Sequence, residues 1–316
     1  MTLAFVFPGQ GSQAVGMGTE LAGVYPAARD VLQEVDDALG QKLSHLMADG
    51  PLEDLTLTEN AQPAIMAASL AVMRVLGSQF GIDVTAAKFV AGHSLGEYSA
   101  LAAAGALSIS DAAKLLKLRG QSMQAAVPVG EGAMAALIGA EMELAEAAAA
   151  AGAEHGVCQV ANDNAPGQIV ISGAKAAVDA AIEYAKAQGV KRALPLPVSA
   201  PFHCTMMQPA ADVMAEALAA ASINAPTIPV VVNVRAAPET DPDAIRALLV
   251  EQVTGRVRWR ESVQWMATEG GITNFVEAGG KVLTGMLRRT APDAAGTALI
   301  TPENLEAFAA SLKGEN

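Results

Sequence analysis

Short apolar segments that suit β-strands alternate along this chain with longer stretches that suit α-helices. Strand-like runs occur at residues 3–7 and 88–91, with a helical stretch at 63–76 between them and further helices up to about residue 126. Similar strand-like runs return at 228–234 and 272–277. Because strands that are separated by helices usually pair in parallel, this order predicts an α/β fold with a mostly parallel sheet.

The middle of the chain follows a different order. Between residues 132 and 198 the pattern predicts strand, helix, strand, strand, helix and strand, which is the βαββαβ order of a ferredoxin-like unit. Prolines and glycines punctuate both ends of this stretch. We therefore predict an α/β-hydrolase-like large domain formed by residues 1–128 and 199–316, with a ferredoxin-like small domain inserted at 129–198. The cleft between two such domains is a common ligand site.

Charge and cysteine usage exclude several classes of protein. With 33 acidic residues against 20 lysines and arginines, the chain has a formal net charge of −13, which argues against coating nucleic acid or anionic membranes. No apolar run approaches the roughly 18 residues that span a bilayer, and the run at 3–7 is too short for a signal peptide. Cys158 and Cys204 form no CxxC pair, so neither a disulfide framework nor a cysteine metal site is expected. We expect a cytoplasmic protein.

A Gly-x-Ser-x-Gly motif stands between a strand-like run and a helical one. Its members are Gly92, Ser94 and Gly96, and a helix-forming stretch follows them. Glycines at both positions permit the tight turn of a nucleophile elbow, which lifts the serine hydroxyl out of the sheet. The next backbone N–H and the helix dipole then lie near a developing oxyanion. The pattern indicates a catalytic serine, with an ordinary structural turn as the alternative.

Any histidine that activates this serine must come from a supply of four: His45, His93, His155 and His203. His93 adjoins the serine, and its side chain is expected to project away from the hydroxyl. His45 lies in a polar segment, and His155 lies at the start of a small-domain strand. His203 follows the segment that re-enters the large domain, where a base faces the cleft, and it comes after the serine in the chain as in α/β-hydrolase-like enzymes. A buried structural histidine is the alternative.

A second candidate is an arginine on the apolar face of a helix. The helix begins after Ser108, and Arg119 shares its apolar face with leucines and with Met123. A buried guanidinium needs compensation, for which a bidentate carboxylate is the natural partner. Position alone favours a structural Asp or Glu as that partner over a carboxylate of the substrate.

Several segments, in order, resemble the malonyl-CoA:acyl-carrier-protein transacylases over nearly the whole chain. They are Phe7-Pro-Gly-Gln-Gly-Ser-Gln13, Thr58-Glu-Asn-Ala-Gln-Pro-Ala64, Gly92-His-Ser-Leu-Gly-Glu-Tyr98, Arg119-Gly-Gln-Ser-Met123, Ala161-Asn-Asp-Asn-Ala-Pro-Gly167 and Pro201-Phe-His203.

This resemblance implies specific roles for residues of the site. Ser94 is acylated, His203 is its base and acid, and Gln10 forms the oxyanion hole with the Leu95 backbone N–H. The backbone carbonyl of Gln252 orients His203, which makes a dyad in place of a Ser-His-Asp triad.

The same resemblance implies the residues that bind the acyl group. Arg119 clamps the malonyl carboxylate, while the others line the site: Gln62, His93, Met123, Asn162 and Phe202. In related polyketide-synthase acyltransferases a Phe at the position of Phe202 accompanies malonyl use, whereas a Ser accompanies methylmalonyl use.

The implied reaction moves malonyl from malonyl-CoA to the phosphopantetheine thiol of acyl carrier protein, in fatty acid biosynthesis, by a monomeric enzyme without metal or other cofactor. A serine esterase or thioesterase is one alternative, although a simple lipase needs no cation on an apolar helix face. A nucleotide-binding or scaffolding protein is another, but the early Gly9-Gln-Gly11 loop matches neither GxGxxG nor GxxxxGK[ST]. An acyltransferase of a polyketide pathway has the same chemistry.

A carrier protein of this kind is acidic, so this acidic chain needs a local positive surface to meet it. Three groups of basic residues are candidates: Arg256, Arg258 and Arg260; Lys281, Arg288 and Arg289; Lys191 and Arg192. Ordinary solvated surface charges are the alternative.

Overall fold

Two β-sheets organise the chain, whose residues 1–198 and 200–314 are described by a computed structural model. The strands are β1 (Leu3–Phe7), β2 (Phe89–Gly92), β3 (Gly132–Ile138), β4 (Cys158–Ala165), β5 (Gln168–Ala174), β6 (Arg192–Pro195), β7 (Val230–Val232), β8 (Ala237–Glu239), β9 (Asn274–Ala278) and β10 (Ala295–Leu299). The helices are α1 (Thr19–Val24), α2 (Pro26–Leu39), α3 (Leu43–Asp49), α4 (Leu52–Thr56), α5 (Thr58–Val75), α6 (Gly96–Ala103), α7 (Ile109–Ala125), α8 (Met142–Gly152), α9 (Lys175–Ala187), α10 (Gln208–Ala220), α11 (Pro242–Thr254), α12 (Trp259–Ala267), α13 (Val282–Thr290) and α14 (Pro302–Lys313).

The larger sheet has the strand order β10-β9-β1-β2-β7-β8. All its neighbours pair in parallel except β7 and β8, which are antiparallel. Every residue of β1 is buried, which fits a continuous apolar run between two layers of helices. The prediction of an α/β fold with a mostly parallel sheet is confirmed.

Helix α5 begins at Thr58, earlier than the predicted start at residue 63. Pro63 therefore lies inside the helix, where it removes one intrahelical hydrogen bond. The segment Thr58–Phe80 has the length and mean hydropathy, 1.3, of a membrane span, contrary to the expectation that no segment approaches one. Within the fold 72% of its most apolar window is buried, so the same composition serves a helix of the core.

The smaller sheet is antiparallel, with the strand order β4-β5-β3-β6. Helices α8 and α9 pack on it around a separate hydrophobic core, as the βαββαβ order predicts. The predicted loop at 162–167 is wrong for its first four residues, because β4 continues through two irregularities to Ala165. The division into residues 1–128 with 199–316 and 129–198 remains a prediction, and residue 199 lies outside the described residues.

Strand β4 is also joined to the larger domain. The Asp163 N–H donates to the Val257 carbonyl at 2.9 Å, and the Val257 N–H donates to the Ala161 carbonyl at 2.8 Å. The buried Asp163 carboxylate forms an ion pair with Arg260 at 2.8 Å. These contacts fix the end of β4 against Val257, which precedes α12, and against Arg260 in the first turn of α12.

Candidate active site

The turn between β2 and α6 places Ser94 at the carboxyl edge of the larger sheet. Ser94 has a φ of 53°, a conformation that is uncommon for a residue with a side chain. A Cβ atom on Gly92 would lie 1.9 Å from the Gly96 backbone, and one on Gly96 would lie 2.3 Å from the Phe7 carbonyl oxygen. Both glycines are therefore required by close backbone contacts, and the predicted tight turn at Ser94 is present.

Asn233, which follows β7, holds both ends of this turn. Its side-chain oxygen accepts from the Ser94 N–H at 2.7 Å, and its side-chain amide donates to the Gly92 carbonyl at 2.7 Å. The residue is buried, so water does not replace these bonds. Sequence reasoning missed Asn233, although a polar residue directly after a buried strand was an available signal.

The Asn233→Ala variant is expected to be less stable and less reactive. It leaves a buried N–H and a buried carbonyl unpaired, at a cost of about 1–3 kcal/mol. The strained Ser94 backbone is then free to relax, so labelling of Ser94 by a fluorophosphonate should slow by roughly tenfold or more. Asn274→Ala is the control, because Asn274 is a buried, hydrogen-bonded residue at the opposite edge of the same sheet. Equal labelling rates in both variants would show that Asn233 does not position the serine.

His203 lies beside the serine. Its Nε2 atom is 2.7 Å from Ser94 Oγ, and its Nδ1 atom is 2.9 Å from the Gln252 carbonyl oxygen. A carbonyl can only accept, so Nδ1 carries the proton and Nε2 is left to accept from the serine hydroxyl. Burial lowers the pKa of His203 to about 3, and the charge of Arg119 acts in the same direction. The imidazole is therefore neutral near pH 7 and able to act as a base.

The other three histidines do not reach the serine hydroxyl. His45 and His155 are exposed. The His93 Nε2 atom lies 2.7 Å from Asn164 Oδ1, and its ring packs edge-on against Trp259.

Arg119 is almost fully buried, with 1% of its surface exposed. Its Nη1 donates to Gln62 Oε1 at 2.9 Å, and its Nη2 donates to Gln252 Oε1 at 2.9 Å. The same Nη2 lies 3.2 Å from Ser94 Oγ. Among residues 1–198 and 200–314 no carboxylate forms an ion pair with it. The Asp or Glu partner that a structural role requires is thus absent from the described part of the chain.

A cavity of about 340 Å³ opens between the two domains above Ser94. It is lined by all the site residues proposed from the sequence except Gln252: Gln10, Gln62, His93, Ser94, Leu95, Arg119, Met123, Asn162, Phe202 and His203. Gln252 is fully buried behind Arg119. The smaller domain contributes further residues that sequence reasoning did not name, including Met134, Asn164 and Val170.

The predicted oxyanion donors lie at two places in this cavity. The Leu95 N–H, at the start of α6, finds no acceptor within the described residues, whereas the Ser94 N–H is bound to Asn233. Gln10 follows β1, the neighbour of β2, and is exposed at the edge of the cavity. Leu95 and Gln10 thus line the same cavity as the serine hydroxyl, from two adjacent strand ends.

Comparison with known proteins agrees with this geometry. The model of the acyl transferase domain family matches residues 4–301. The malonyl CoA-acyl carrier protein transacylase of Escherichia coli (strain K12) is 48% identical over 305 residues, which cover 96% of this chain and 97% of the relative. This chain belongs to the malonyl CoA-acyl carrier protein transacylase family.

Solved structures of transacylases share the whole fold. The acyl-carrier-protein-S-malonyltransferase of Bartonella henselae has a TM-score of 0.96 and 54% identity, covering 99% of this chain and 100% of that one. A malonyl-transacylase solved in complex with a type II PKS acyl-carrier protein has a TM-score of 0.95 and 42% identity, covering 98% of this chain and 100% of that one. The transacylase family therefore accounts for both domains of this chain.

Proposed function

We propose that this enzyme transfers malonyl from malonyl-CoA to the phosphopantetheine thiol of acyl carrier protein, in fatty acid biosynthesis, through an acyl-enzyme on Ser94. One observation carries the proposal: Ser94 Oγ lies within hydrogen-bond reach of both the His203 imidazole and the buried Arg119 guanidinium. A nucleophile beside a base performs acyl transfer. A cation at the same place supplies the partner for an acyl group that ends in a carboxylate.

The reaction has two matching halves. His203 takes the proton of Ser94, the oxygen attacks the thioester carbonyl, and the imidazole returns the proton to the coenzyme A thiolate. The Leu95 N–H and Gln10 stabilise the oxyanion of the tetrahedral intermediate. In the second half the phosphopantetheine thiol gives its proton to His203, its sulfur attacks the acyl-enzyme, and the proton returns to Ser94. The Gln252 carbonyl orients the imidazole throughout.

The remaining cavity residues are proposed to bind the acyl group. Gln62 holds one side of the Arg119 guanidinium, and its amide contacts the Met123 sulfur at 3.9 Å. Phe202 is buried against the cavity, where its ring limits the space for a methyl branch, so we expect malonyl to be preferred over methylmalonyl. His93 and Asn162 also line the cavity. Coenzyme A and phosphopantetheine enter as substrates, and the proposed reaction uses no other cofactor.

Intact-protein mass spectrometry tests the proposal. Malonyl-CoA is expected to add one malonyl mass to the enzyme, methylmalonyl-CoA less, and holo acyl carrier protein to remove the adduct as malonyl carrier protein. Release of free malonate without transfer of malonyl to the carrier protein would instead identify a thioesterase.

The relative solved with its PKS carrier protein supports a polyketide role as the second candidate, and the rates of transfer to carrier proteins of the two pathways distinguish the roles. A cytoplasmic location and a monomeric state remain predictions.

The rate of Ser94 acylation is expected to stay constant as the pH falls below neutrality. A base with a lowered pKa stays neutral at lower pH, so kcat/KM for malonyl-CoA should hold from pH 8 down to about pH 5, whereas an ordinary histidine is half protonated at about pH 6.5. The pH profile of the initial acylation rate measures this. Burial raises the pKa of Glu97 to about 7, and the Glu97→Gln variant separates its titration from that of His203. An acid limb near pH 6.5 in both proteins contradicts the prediction.

The structure separates the candidate docking residues into two kinds. The first three arginines already have acidic partners: Arg256 pairs with Glu146 at 2.9 Å, Arg258 with Glu261, and Arg260 with Asp163. The others are exposed and form no ion pair within the described residues: Lys191, Arg192, Lys281, Arg288 and Arg289. The unpaired group is thus better suited to meet an acidic carrier protein.

Reversing charge on α13 is therefore expected to weaken the encounter with carrier protein. Exposed charges steer association and are screened by salt, so Arg288→Glu/Arg289→Glu should raise the KM for carrier protein at low salt and much less at high salt. Malonylation of Ser94 by malonyl-CoA should stay nearly unchanged. Arg256→Glu/Arg258→Glu is the comparison, with a smaller effect on that KM. An unaltered KM in the α13 variant at low salt places docking elsewhere.

A further inference from the structure

The side chain of Gln252 stands between a buried carboxylate and a buried guanidinium. Its Oε1 accepts from Arg119 Nη2 at 2.9 Å, while its Nε2 donates to Glu97 Oε2 at 3.0 Å and to the Ser94 carbonyl at 3.0 Å. These contacts are separate from the main-chain carbonyl of Gln252, which binds His203. One amide thus faces both charged groups, with its acceptor toward the cation and its donor toward the anion.

Removal of this amide would allow the Glu97 carboxylate to form an ion pair with the Arg119 guanidinium. The Glu97 side chain is buried, its Oε2 also accepts from the Asn233 N–H at 2.9 Å, and its Oε1 has no partner among the described residues. The Gln252 amide bonds Arg119 Nη2 through its oxygen at 2.9 Å and Glu97 Oε2 through its nitrogen at 3.0 Å, so one amide group lies between the two side chains. A desolvated cation and anion attract strongly when nothing polar separates them.

An ion pair between Glu97 and Arg119 would neutralise the positive charge that the carboxylate of the substrate needs. The present partners of Arg119 are the neutral oxygens of Gln62, Gln252 and Ser94. Neutral acceptors fix the orientation of the guanidinium and leave its net charge uncompensated. A carboxylate partner would satisfy both the geometry and the charge, so a dicarboxylic acyl group would lose its advantage over an uncharged one.

We propose that the Gln252 side chain is a specificity-determining residue, which keeps Glu97 from pairing with Arg119 and so leaves the guanidinium free for the carboxylate of the acyl group. This inference rests on the proposed function, in which that acyl group is malonyl. It assigns to the side chain a task distinct from the orienting of His203 by the main chain.

The test compares malonyl-CoA and acetyl-CoA in single-turnover acylation of Ser94, followed by intact mass. Gln252→Met keeps the length of the side chain and the main-chain carbonyl, so acetylation reports an assembled dyad. We expect the ratio of malonyl to acetyl acylation rates to fall by about 10- to 100-fold, the effect of losing one charged hydrogen bond. Adding Glu97→Gln to this variant is expected to restore the ratio to within about threefold of wild type, since the competing anion is gone.

Two further variants sharpen the comparison. Gln62→Met also removes a neutral acceptor from Arg119 but no contact to Glu97, so Glu97→Gln is expected not to restore its ratio. In Gln252→Asn the side chain is too short for its amide to reach both charged groups. This variant is used in place of Gln252→Met if the Gln252→Met enzyme accepts neither acyl group. The same fall in the ratio is expected for it.

The outcomes separate this inference from the proposed function. A wild-type enzyme that takes acetyl but no malonyl contradicts the function itself. A wild-type enzyme that is malonylated, with an unchanged ratio in the Gln252 variant, overturns the inference alone. A ratio that falls and is not restored by Glu97→Gln also overturns it, because the loss then comes from the missing amide and not from Glu97.

Discussion

The Ser94→Ala variant is expected to form no acyl-enzyme with malonyl-CoA. The Ser94 hydroxyl is the only group of the enzyme that accepts malonyl in the proposed reaction, and the turn that presents it is held by Gly92, Gly96 and Asn233 independently of the side chain. The variant should therefore remain folded. Intact mass measures the adduct, and a malonyl adduct that persists in Ser94→Ala would falsify the assignment of the nucleophile.

The companion His203→Ala variant is expected to retain the hydroxyl but lose its base. General-base catalysis contributes about 10²–10⁴-fold, so the acylation rate should fall by that order. His155→Ala is a suitable control, because His155 is exposed and outside the cavity. Similar rates in both variants would remove His203 from the reaction.

The Arg119→Ala variant is expected to change which acyl group the enzyme accepts. Removing a buried, charge-assisted contact costs about 2–5 kcal/mol, which corresponds to a loss of malonyl transfer of roughly 30-fold to several thousand-fold. An acetyl group has no carboxylate, so its transfer should hold steady or rise. Rates of transfer from malonyl-CoA and acetyl-CoA measure the change.

Lys117→Ala is the matched control for this experiment. Lys117 lies on the same helix, α7, and pairs with Glu59 away from the cavity. Its replacement is expected to alter neither rate much. An equal loss of malonyl and acetyl transfer in Arg119→Ala would mean that the arginine supports the structure and does not select the substrate.

The parts of the site that the sequence predicts are those with local patterns. The glycines around Ser94 define a turn by their spacing, and the apolar face of α7 places Arg119 inside the protein. The choice of His203 followed from the small supply of histidines. Each of these inferences uses residues that lie close together in the chain, or a count of a rare residue type.

The parts that sequence reasoning missed depend on contacts between distant segments. Asn233 reaches the Ser94 turn across 139 positions, and the Gln252 side chain reaches Glu97 across 155. No spacing along the chain reveals such a pair. The parallel pairing of β2 with β7 brings Asn233 to the Ser94 turn, and Gln252 reaches Glu97 from helix α11. The resemblance to the transacylases pointed to the main chain of Gln252, and the task of its side chain became visible only with the distances.

The hydrogen bonds between β4 and Val257, with the ion pair of Asp163 and Arg260, bear on any attempt to transplant the inserted domain between enzymes. A hybrid that exchanged only residues 129–198 would keep the original Arg260 opposite a foreign strand. A buried carboxylate in that strand would then have to match an arginine it did not evolve with. Moving the segment from Gly255 to Arg260 together with the insert preserves the contacts between β4 and this segment. Such an exchange needs four junctions between the two parent sequences, two at the ends of the insert and two at the ends of the second segment.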